Sequence, residues 1–267
     1  MRKSAPSRVT CALDCRLNLE NGKLSKTSQE ALEKASESYY FTSQQTGIDN
    51  RFRERMIRRC LKHLQGSEVL ELGFMDGQWT DQFLAKGCNV TVVEGATKMI
   101  EYAKEKYAGD NRVKTNHSLF EDFAPKQKFD TILMGGMLKH LPEPGKLLRR
   151  SLEWLNPNGV LIATTPNPRS MHRRIGTYMG MLESPDALTV ADEAVCNLRH
   201  YDRYTFRHLL EHNGYEIKEL KTAMLKVVSG DKMENWDDAL LDALDQITDE
   251  IEDYGWYIYA ICGAASK

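Results

Sequence analysis

The sequence predicts an α/β fold with a mostly parallel sheet, and two observations lead to this prediction. From residue 67 onward, short apolar runs alternate with stretches that carry apolar residues at helical spacing. Such alternation produces a parallel sheet with right-handed crossovers and helices on both faces. The second observation is the segment 69–95, in which a glycine turn follows one strand and an acidic residue ends the next.

The first predicted strand, Glu68–Leu72, stops at a turn that contains Gly73 and Gly77. A helix over 79–86 follows, and the second strand, Asn89–Glu94, ends in an acid about twenty residues after the turn. In this arrangement the glycines let a ligand approach the backbone, and the acid accepts hydrogen bonds from a ribose diol. The segment therefore predicts an adenosine-containing cofactor with Glu94 on its ribose.

The turn itself distinguishes two classes of cofactor. A dinucleotide site needs a glycine near the middle of the turn so that the backbone can approach a pyrophosphate. This chain has Met75 there, between Phe74 and Asp76, which makes a poor phosphate cradle and argues against a nicotinamide-dependent oxidoreductase. S-adenosylmethionine has no phosphate, carries a sulfonium and an ammonium, and still presents a diol, so the turn suits it better.

Glu71, Leu72, Gly73 and Gly77 match the motif E-L-G-x-x-x-G, and the chain here resembles the class I S-adenosylmethionine-dependent methyltransferases. Met75 departs from the glycine that many members have. The resemblance covers about residues 65–220 and continues through VTVVEGATKMIEYAKEKY, HSLFEDF, FDTILMGGMLKHLPEP and WLNPNGVLIATTPNP. It implies a Rossmann-like, seven-stranded sheet with an antiparallel last strand. Ubiquinone-type O-methyltransferases and bacterial small-molecule, sugar and natural-product methyltransferases are similar in pattern.

The remaining elements follow from periodicity. Strands are predicted at 113–116, 129–134, 160–164, 215–220 and 256–262, the last as the antiparallel edge strand that the resemblance implies. Helices are predicted at about 28–36, 51–64, 98–107, 144–155 and 204–213. Two segments interrupt this plan: a long connection at 166–197, expected to be a cover, and an amphipathic helix within 231–254 that would pack on the domain or form a homodimer.

The composition of the chain argues against several classes of function. No apolar run approaches the ~20 residues that span a bilayer, and no signal peptide is evident, so we expect a cytoplasmic protein. A net charge of −2 argues against a nucleic-acid partner. The six cysteines lack metal-site spacing and are expected to be reduced thiols, and no metal is predicted.

Five arginines between residues 51 and 59 form the one basic cluster. We interpret them mainly as the solvated face of a helix, with binding of a phosphate-bearing substrate as the alternative. Residues 1–64 are predicted to be an N-terminal helical arm, and residues 65–267 the methyltransferase domain. In the resembled families such an arm covers the cofactor cleft, whereas simple packing onto the domain is equally compatible with the sequence.

The resemblance and the chemistry of the ligand together assign the cofactor contacts. Glu94 would bind the ribose hydroxyls, and the glycines of the turn would approach the methionine part. Carbonyl groups at Met134 and Gly135 would accept from the ammonium, while Met99, Leu119, Phe120 and Glu121 would enclose the adenine, although core packing also explains Met99 or Phe120. The predicted set is Glu71, Gly73, Gly77, Glu94, Gly95, Met99, Leu119, Phe120, Glu121, Met134 and Gly135.

The acceptor site is predicted at the cover. We expect a small molecule, methylated at a hydroxyl or carboxylate oxygen, and the basic character of the cover suits an anionic one. Its contacts would come from Tyr39, Tyr40, Arg169, His172, Arg173, Tyr178, Arg199 and Tyr201, with solvated loop charge as the alternative for the cations. His200, or otherwise His140, would take the acceptor proton, and transfer by positioning alone without a protein base is the alternative. Two alternatives stay open: N-methylation, and a non-catalytic subunit that retains the cofactor pocket.

Overall fold

The structure is a computed structural model that describes residues 19–20, 23–24, 32–33, 35–36 and 47–265. Its centre is a seven-stranded sheet in the order β5-β4-β3-β6-β7-β9-β8, in which β9 runs antiparallel to both neighbours and the other pairs are parallel. The strands are β1 (Leu19–Glu20), β2 (Lys23–Leu24), β3 (Glu68–Leu72), β4 (Asn89–Glu94), β5 (Val113–His117), β6 (Phe129–Gly135), β7 (Leu155–Pro166), β8 (Tyr215–Ala223) and β9 (Tyr257–Ala264). β1 and β2 form a separate antiparallel pair.

The predicted fold class is confirmed, but the place predicted for the last strand is wrong. β9 does not lie at the edge of the sheet: it pairs with β7 on one side and with β8 on the other. The composition of the strand explains this position. Ile258 and Ala260 pack into one hydrophobic cluster while Tyr259 and Ile261 pack into a second one, so both faces of β9 are buried. A strand that is apolar on both faces suits the interior of a sheet.

Helices cover both faces of the sheet. They are α1 (Gly47–Cys60), α2 (Gln78–Ala85), α3 (Thr97–Lys106), α4 (Pro144–Trp154), α5 (Met171–Tyr178), α6 (Val190–Ala194), α7 (Arg203–His212), α8 (Gly230–Met233) and α9 (Asp238–Gln246), with short 3₁₀ turns at Leu61–His63 and Ile247–Asp249. Successive strand residues alternate between two cores, with Leu70 and Ile132 in one and Val69 and Leu133 in the other. Among the described helices, none is long and apolar enough to cross a membrane.

The segment 231–254 is not one amphipathic helix, as predicted, but three short helical pieces. Trp236 and Asp237 separate α8 from α9, and the Asp237 carboxylate caps α9 by accepting a hydrogen bond from the Leu240 amide at 2.7 Å. On its apolar side, Leu241 packs with Ile48 and Phe52 of α1. The Leu241 side of the stripe is therefore covered within the chain, whereas Leu240 and Ile247 are exposed, and the homodimer stays a prediction.

The solvated-face interpretation of the arginine cluster is wrong. Arg55 and Arg59 are buried on α1 and face the acids of 238–249. The Arg55 guanidinium lies 3.0 Å from Asp238 and 2.9 Å from Asp242, and Arg59 forms ion pairs of 2.8 Å with Asp245 and 2.9 Å with Asp249. Two charged faces of opposite sign thus pack against each other, an arrangement that no single-segment pattern could reveal.

Several predictions fall outside the described residues. These are Tyr39 and Tyr40 of the acceptor site, the cysteines at 11 and 15, and most of the helix predicted at 28–36. The described cysteines, Cys60, Cys88, Cys196 and Cys262, are free thiols. Within the described part of the chain, no group of three or more His, Cys, Asp or Glu side chains could hold a metal ion.

Candidate active site

A cleft opens at the carboxyl ends of β3, β4, β6 and β7. Ligands bind at this end of open α/β sheets because the loops there surround a crevice. We call its two ends the β4 half, formed around Glu94, Met99 and Phe120, and the β7 half, formed around Lys139, His140, Thr164, Val195 and Cys196. The other lining residues are Leu32, Ala35, Ser36, Arg53, Met56, Gly73, Met75, Trp79, Gly135, Gly136, Met137, Pro166 and Tyr257.

The turn after β3 provides an open stretch of backbone. Gly73 has φ +89°, and a Cβ there would lie 3.7 Å from the Phe120 ring and 4.0 Å from Met137, in space that borders the cleft. Met75 also takes a left-handed conformation, with φ +51°, and its side chain lines the cleft. Left-handed backbone costs a residue with a Cβ about 1–2 kcal/mol, which the surrounding contacts must offset.

Gly77 has a different role from the one predicted. It lies at the amino end of α2 with φ +81°, and a Cβ there would come within 2.6 Å of the Tyr107 hydroxyl and 2.8 Å of the Phe74 ring. Its absent side chain therefore makes room for the packing of α3 against the turn. Gly77 is not among the residues that line the cleft.

Glu94 ends β4 at the wall of the cleft and is held by backbone amides. Its Oε2 accepts a hydrogen bond from the Phe74 N–H at 3.1 Å, and its Oε1 accepts one from the Ala96 N–H at 2.8 Å. Burial raises the pKa of Glu94, while the amide hydrogen bonds act in the opposite direction. A carboxylate offers about four lone-pair sites, so the two amides fix its orientation and leave it able to accept hydrogen bonds from a ligand.

Glu71 lies beneath the glycine turn and does not line the cleft. Its Oε2 accepts a hydrogen bond from the Thr80 hydroxyl at 2.6 Å, whereas Oε1 has no partner in the part of the chain that the structure describes. Burial raises its pKa to about 8. The carboxyl group is therefore mostly protonated at neutral pH, and a cation bound nearby would favour its ionised form.

Arg53 is a site residue that sequence reasoning missed. Its buried side chain lines the cleft, and its guanidinium lies 3.1 Å from the Asp76 carboxylate and 3.8 Å from the Met75 sulfur. Nε has no hydrogen-bond partner among the described residues, which is costly for a buried charged donor. Helical spacing grouped Arg53 with the other arginines of α1. In the structure, however, Arg53 pairs with Asp76 at the turn, whereas Arg55 pairs with Asp238.

The other predicted cofactor residues divide into three groups. Met99, Phe120 and Gly135 line the cleft. Leu119 and Gly95 are outside the lining but next to Leu32, which belongs to it: a Cβ on Gly95 would touch both Leu119 at 3.1 Å and Leu32 at 3.2 Å. Met134 and Glu121 are also outside the lining, since Met134 is buried in the hydrophobic core and Glu121 is exposed. Trp79, which was not predicted, lines the cleft beside Gly135, with its indole N–H 3.5 Å from the position of a Cβ there.

Lys139 and His140 follow β6 and supply the titratable groups of the β7 half. His140 Nδ1 lies 3.2 Å from the Cys196 carbonyl oxygen, which fixes the ring. Burial, together with the charge of Lys139, lowers the pKa of His140 to about 3, so the imidazole is neutral at physiological pH. Burial also lowers the pKa of Lys139 to about 8, and Asp192 opposes that shift. Lys139 was not predicted to be a site residue.

The cover at 166–200 is organised around Asp192. Its carboxylate accepts hydrogen bonds from Thr189 at 2.9 Å (amide) and 2.7 Å (hydroxyl) and from the Asn197 side chain at 2.7 Å. His200 Nε2 lies 3.5 Å from the same carboxylate. Although burial acts to raise the pKa of Asp192, the hydrogen bonds from His200, Thr189 and Asn197 lower it overall. His200 thus lies against the acid of the cover and does not line the cleft, whereas His140, the other predicted base, does.

The cationic and aromatic side chains predicted for the acceptor are also absent from the described lining of the cleft. Arg169 pairs with Asp202 at 3.0 Å, and Arg173 donates to the Pro185 carbonyl at 2.7 Å and to that of Ala187. His172 is half-buried, with its Nδ1 3.1 Å from the Ser170 hydroxyl, and Arg199 donates to the Pro142 carbonyl. Tyr201 packs in the main core, whereas Tyr178 is 90% exposed. Most of these side chains hold the cover in shape, because each satisfies a carbonyl, carboxylate or core contact of the fold.

Comparison with known proteins shows to which family the chain belongs. Residues 45–220 match the model of the methyltransferase domain family, which is more than half of the chain. The chain belongs to this methyltransferase family. The resemblance found in the sequence is thereby confirmed.

The relatives agree on family and fold. Ubiquinone biosynthesis O-methyltransferases from Actinobacillus pleuropneumoniae and Rickettsia akari are 30% identical over 138 residues and 24% identical over 174 residues; these matches cover 49% and 63% of this chain and 56% and 66% of the relatives. The chain thus spans about half the length of the curated relatives it matches.

Two solved structures share the fold. One is an S-adenosylmethionine-dependent methyltransferase from Mesorhizobium loti, with a TM-score of 0.59, 18% identity and coverage of 81% of this chain and 99% of that one. The other is the N-methyltransferase NodS from Bradyrhizobium japonicum in complex with S-adenosyl-L-homocysteine, with a TM-score of 0.57, 14% identity and coverage of 88% and 99%.

Proposed function

We propose that this protein transfers the methyl group of S-adenosylmethionine to an oxygen, of a hydroxyl or a carboxylate, on a small-molecule acceptor. The observation that carries the proposal is Glu94, a buried carboxylate held by two backbone amides at the wall of a cleft and next to an open glycine turn. A carboxylate fixed in this way is suited to accept two hydrogen bonds from a vicinal diol. Family membership and relatives named as O-methyltransferases support the oxygen acceptor.

The groups around the turn fit the amino-acid part of this cofactor. Two buried polar atoms there have no partner among the described residues, Arg53 Nε and Glu71 Oε1. Arg53 lines the cleft, and its guanidinium matches the carboxylate of an amino acid in charge and in hydrogen-bonding capacity. Glu71 lies beneath the turn and outside the lining, where its ionised form would attract the ammonium through the field it adds to this end of the cleft. Gly73 would leave the backbone open to the ligand, and Met99 and Phe120 would pack on the adenine.

When bound, the cofactor supplies a methyl group that its sulfonium already activates. The protein then has to hold the acceptor oxygen in line with that methyl group and exclude water, and such positioning alone supplies much of the acceleration. His140 lines the β7 half, and its fixed neutral ring would orient an acceptor hydroxyl by hydrogen bonding. Its low pKa makes it a weak general base, because proton transfer is most effective near the operating pH.

The N-terminal arm would cover the β4 half. Glu33 Oε1 accepts a hydrogen bond from the Thr97 amide at 2.7 Å, at the amino end of α3, and Leu32, Ala35 and Ser36 line the cleft. These contacts support residues 1–64 as a cover on the domain at 65–267. A cover that contributes lining residues would help to keep water from the methyl-transfer point.

Calorimetric titration with S-adenosylhomocysteine tests the proposal. The wild-type protein should bind it, and Glu94→Gln should weaken binding by about 1.5–3 kcal/mol, which is about 10- to 150-fold, because a charge-assisted hydrogen bond is lost. Glu68→Gln is the matched control, since Glu68 lies at the start of β3 and away from the cleft. Failure of the wild-type protein to bind would overturn the proposed function, whereas unchanged affinity in Glu94→Gln would remove only Glu94 from the site.

A further inference from the structure

The cleft contains an indole N–H that the proposed cofactor contacts do not use. Trp79 is 5% exposed and lines the cleft, and its ring stacks on Phe83 with a centroid distance of 5.7 Å. The indole N–H lies 3.5 Å from the position of a Cβ on Gly135, so any side chain at Gly135 would touch it. It makes no hydrogen bond to the described residues, although a buried indole N–H usually has a partner.

A hydroxyl group lies next to the same glycine. Thr164 pairs with Gly135 in the parallel register of β6 and β7, and paired residues present their side chains on the same face of a sheet. Thr164 is 2% exposed and lines the cleft, and its hydroxyl has no hydrogen-bond partner in the part of the chain that the structure describes. A Cβ on Gly136 would meet no described atom within 4 Å, so the cleft has room for a ligand beside Trp79 and Thr164.

The position of Thr164 favours the acceptor over the cofactor. Arg53 and Glu71, the groups that would attract the amino-acid part of the cofactor, lie at the turn after β3. In the sheet order, β7 is two strands away from β3, which corresponds to about 10 Å. His140, which would orient the acceptor hydroxyl, lines the same half of the cleft as Thr164.

We propose that Trp79 and Thr164 bind an uncharged oxygen, such as a carbonyl, that the acceptor carries besides the oxygen that is methylated. This inference deepens the proposed function and rests on it. The indole N–H can only donate and the threonine hydroxyl can also donate, while a carbonyl oxygen has two lone pairs to accept from both. An acceptor without this oxygen would leave two buried polar groups unpaired, which lowers its affinity. Trp79 and Thr164 are thus specificity-determining residues.

Calorimetry with two matched phenols tests the proposal, and aromatic probes suit a cleft that Phe120 and Tyr257 also line. In 4-hydroxyacetophenone a carbonyl replaces one methylene of 4-ethylphenol, and each is titrated at pH 6 into the protein saturated with S-adenosylhomocysteine. The wild-type complex should bind the ketone about tenfold more tightly, because two hydrogen bonds are gained. Trp79→Phe and Thr164→Val should each reduce this preference by weakening the ketone only. Thr164→Ser, which keeps the hydroxyl, should retain it.

The indole N–H gives a second and direct measurement. The chain has four tryptophans, and in the ¹⁵N-labelled protein the indole signal that Trp79→Phe removes belongs to Trp79. The ketone should shift this signal in the wild-type complex more than 4-ethylphenol does, because only the ketone accepts its hydrogen bond. Equal shifts with the two phenols would mean that Trp79 only packs in the wall of the cleft.

Thr165→Val is the matched control, because Thr165 is the next residue of β7, is also buried and does not line the cleft. It should keep the wild-type preference. A wild-type complex that binds neither phenol or both equally, or a preference that survives in Trp79→Phe and Thr164→Val, would overturn the inference. Weaker binding of S-adenosylhomocysteine by Trp79→Phe would also overturn it, by assigning the indole to the cofactor. Failure of the wild-type protein to bind S-adenosylhomocysteine would instead overturn the proposed function, so the two failures are distinguishable.

Discussion

The two halves of the cleft bury ionisable groups of opposite sign. On the β4 side, burial raises the pKa of the Glu94 and Glu71 carboxyl groups. In the β7 half, burial lowers the pKa of Lys139 and His140. In each case burial disfavours the charged form. A cation bound beside the carboxyl groups would favour their ionised form.

The halves also differ in how the chain builds them. Glu94 contacts Phe74, 20 residues away, and Ala96, 2 residues away, so one strand–turn–helix–strand unit fixes the carboxylate of the β4 half. His140 contacts Cys196, 56 residues away, across a long insertion. A site made within one unit is a property of the fold, whereas a site made by an insertion can change with the insertion.

The largest effect is expected for Glu71, the buried carboxyl group beneath the β4 half, and concerns the pH dependence of the unfolding free energy. Because the pKa of Glu71 is about 8 in the folded protein and near 4.5 when unfolded, its contribution is fully present below pH 4.5 and is lost as pH rises through 8. That loss amounts to on the order of 5 kcal/mol of unfolding free energy. Glu71→Gln should flatten the fall in stability between pH 5 and 9, measured by urea unfolding at each pH.

Glu68→Gln, on the same strand but partly exposed, should leave that fall in place. If the unfolding free energy of Glu71→Gln falls between pH 5 and 9 as steeply as that of the wild-type protein, burial does not raise the pKa of Glu71. Saturation with S-adenosylhomocysteine should reduce the slope in the wild-type protein, because the ligand ammonium would favour the ionised carboxylate.

A second, smaller effect concerns the buried guanidinium at the turn. Arg53→Met should weaken S-adenosylhomocysteine binding by about 1.5–3 kcal/mol, since a charged donor to the ligand carboxylate is removed. Arg58→Met is the matched control on the same helix, because Arg58 is exposed and pairs with Asp242. Calorimetry on both variants decides the point, and equal affinities would place Arg53 with the structural arginines of α1.

The smallest effect is expected for Asp192, which organises the cover next to the β7 half. Asp192→Asn should reduce the unfolding free energy by about 1 kcal/mol and accelerate hydrogen exchange at the Leu198 amide, because the hydrogen bonds that organise the cover weaken. Affinity for S-adenosylhomocysteine should not change. Glu193→Gln, at the exposed neighbouring position, should alter neither property. A loss of cofactor affinity in the Asp192 variant would mean that the two halves are not independent.

Local sequence patterns predicted the β4 half well. The strands Glu68–Leu72 and Asn89–Glu94 have the predicted bounds, and Gly73 and Glu94 lie at the cleft as expected. These features depend on hydrophobic periodicity and on residues that are close in sequence, and both can be recognised from the amino-acid sequence alone. The same reasoning failed for Gly77, which packs on Tyr107, because a glycine in a motif does not reveal which side of the backbone is crowded.

The sequence by itself determined the order of strands and helices, the glycine turn and the family. Tertiary structure alone decided that Arg53 faces the cleft while Arg55 faces the acids of α9, and that Lys139 lines the β7 half while His200 pairs with Asp192. The reason is physical. A helical or apolar pattern specifies which side chains share a face of an element. The segment that packs against that face is distant in sequence, and it determines whether a side chain there pairs with an acid or lines the cleft.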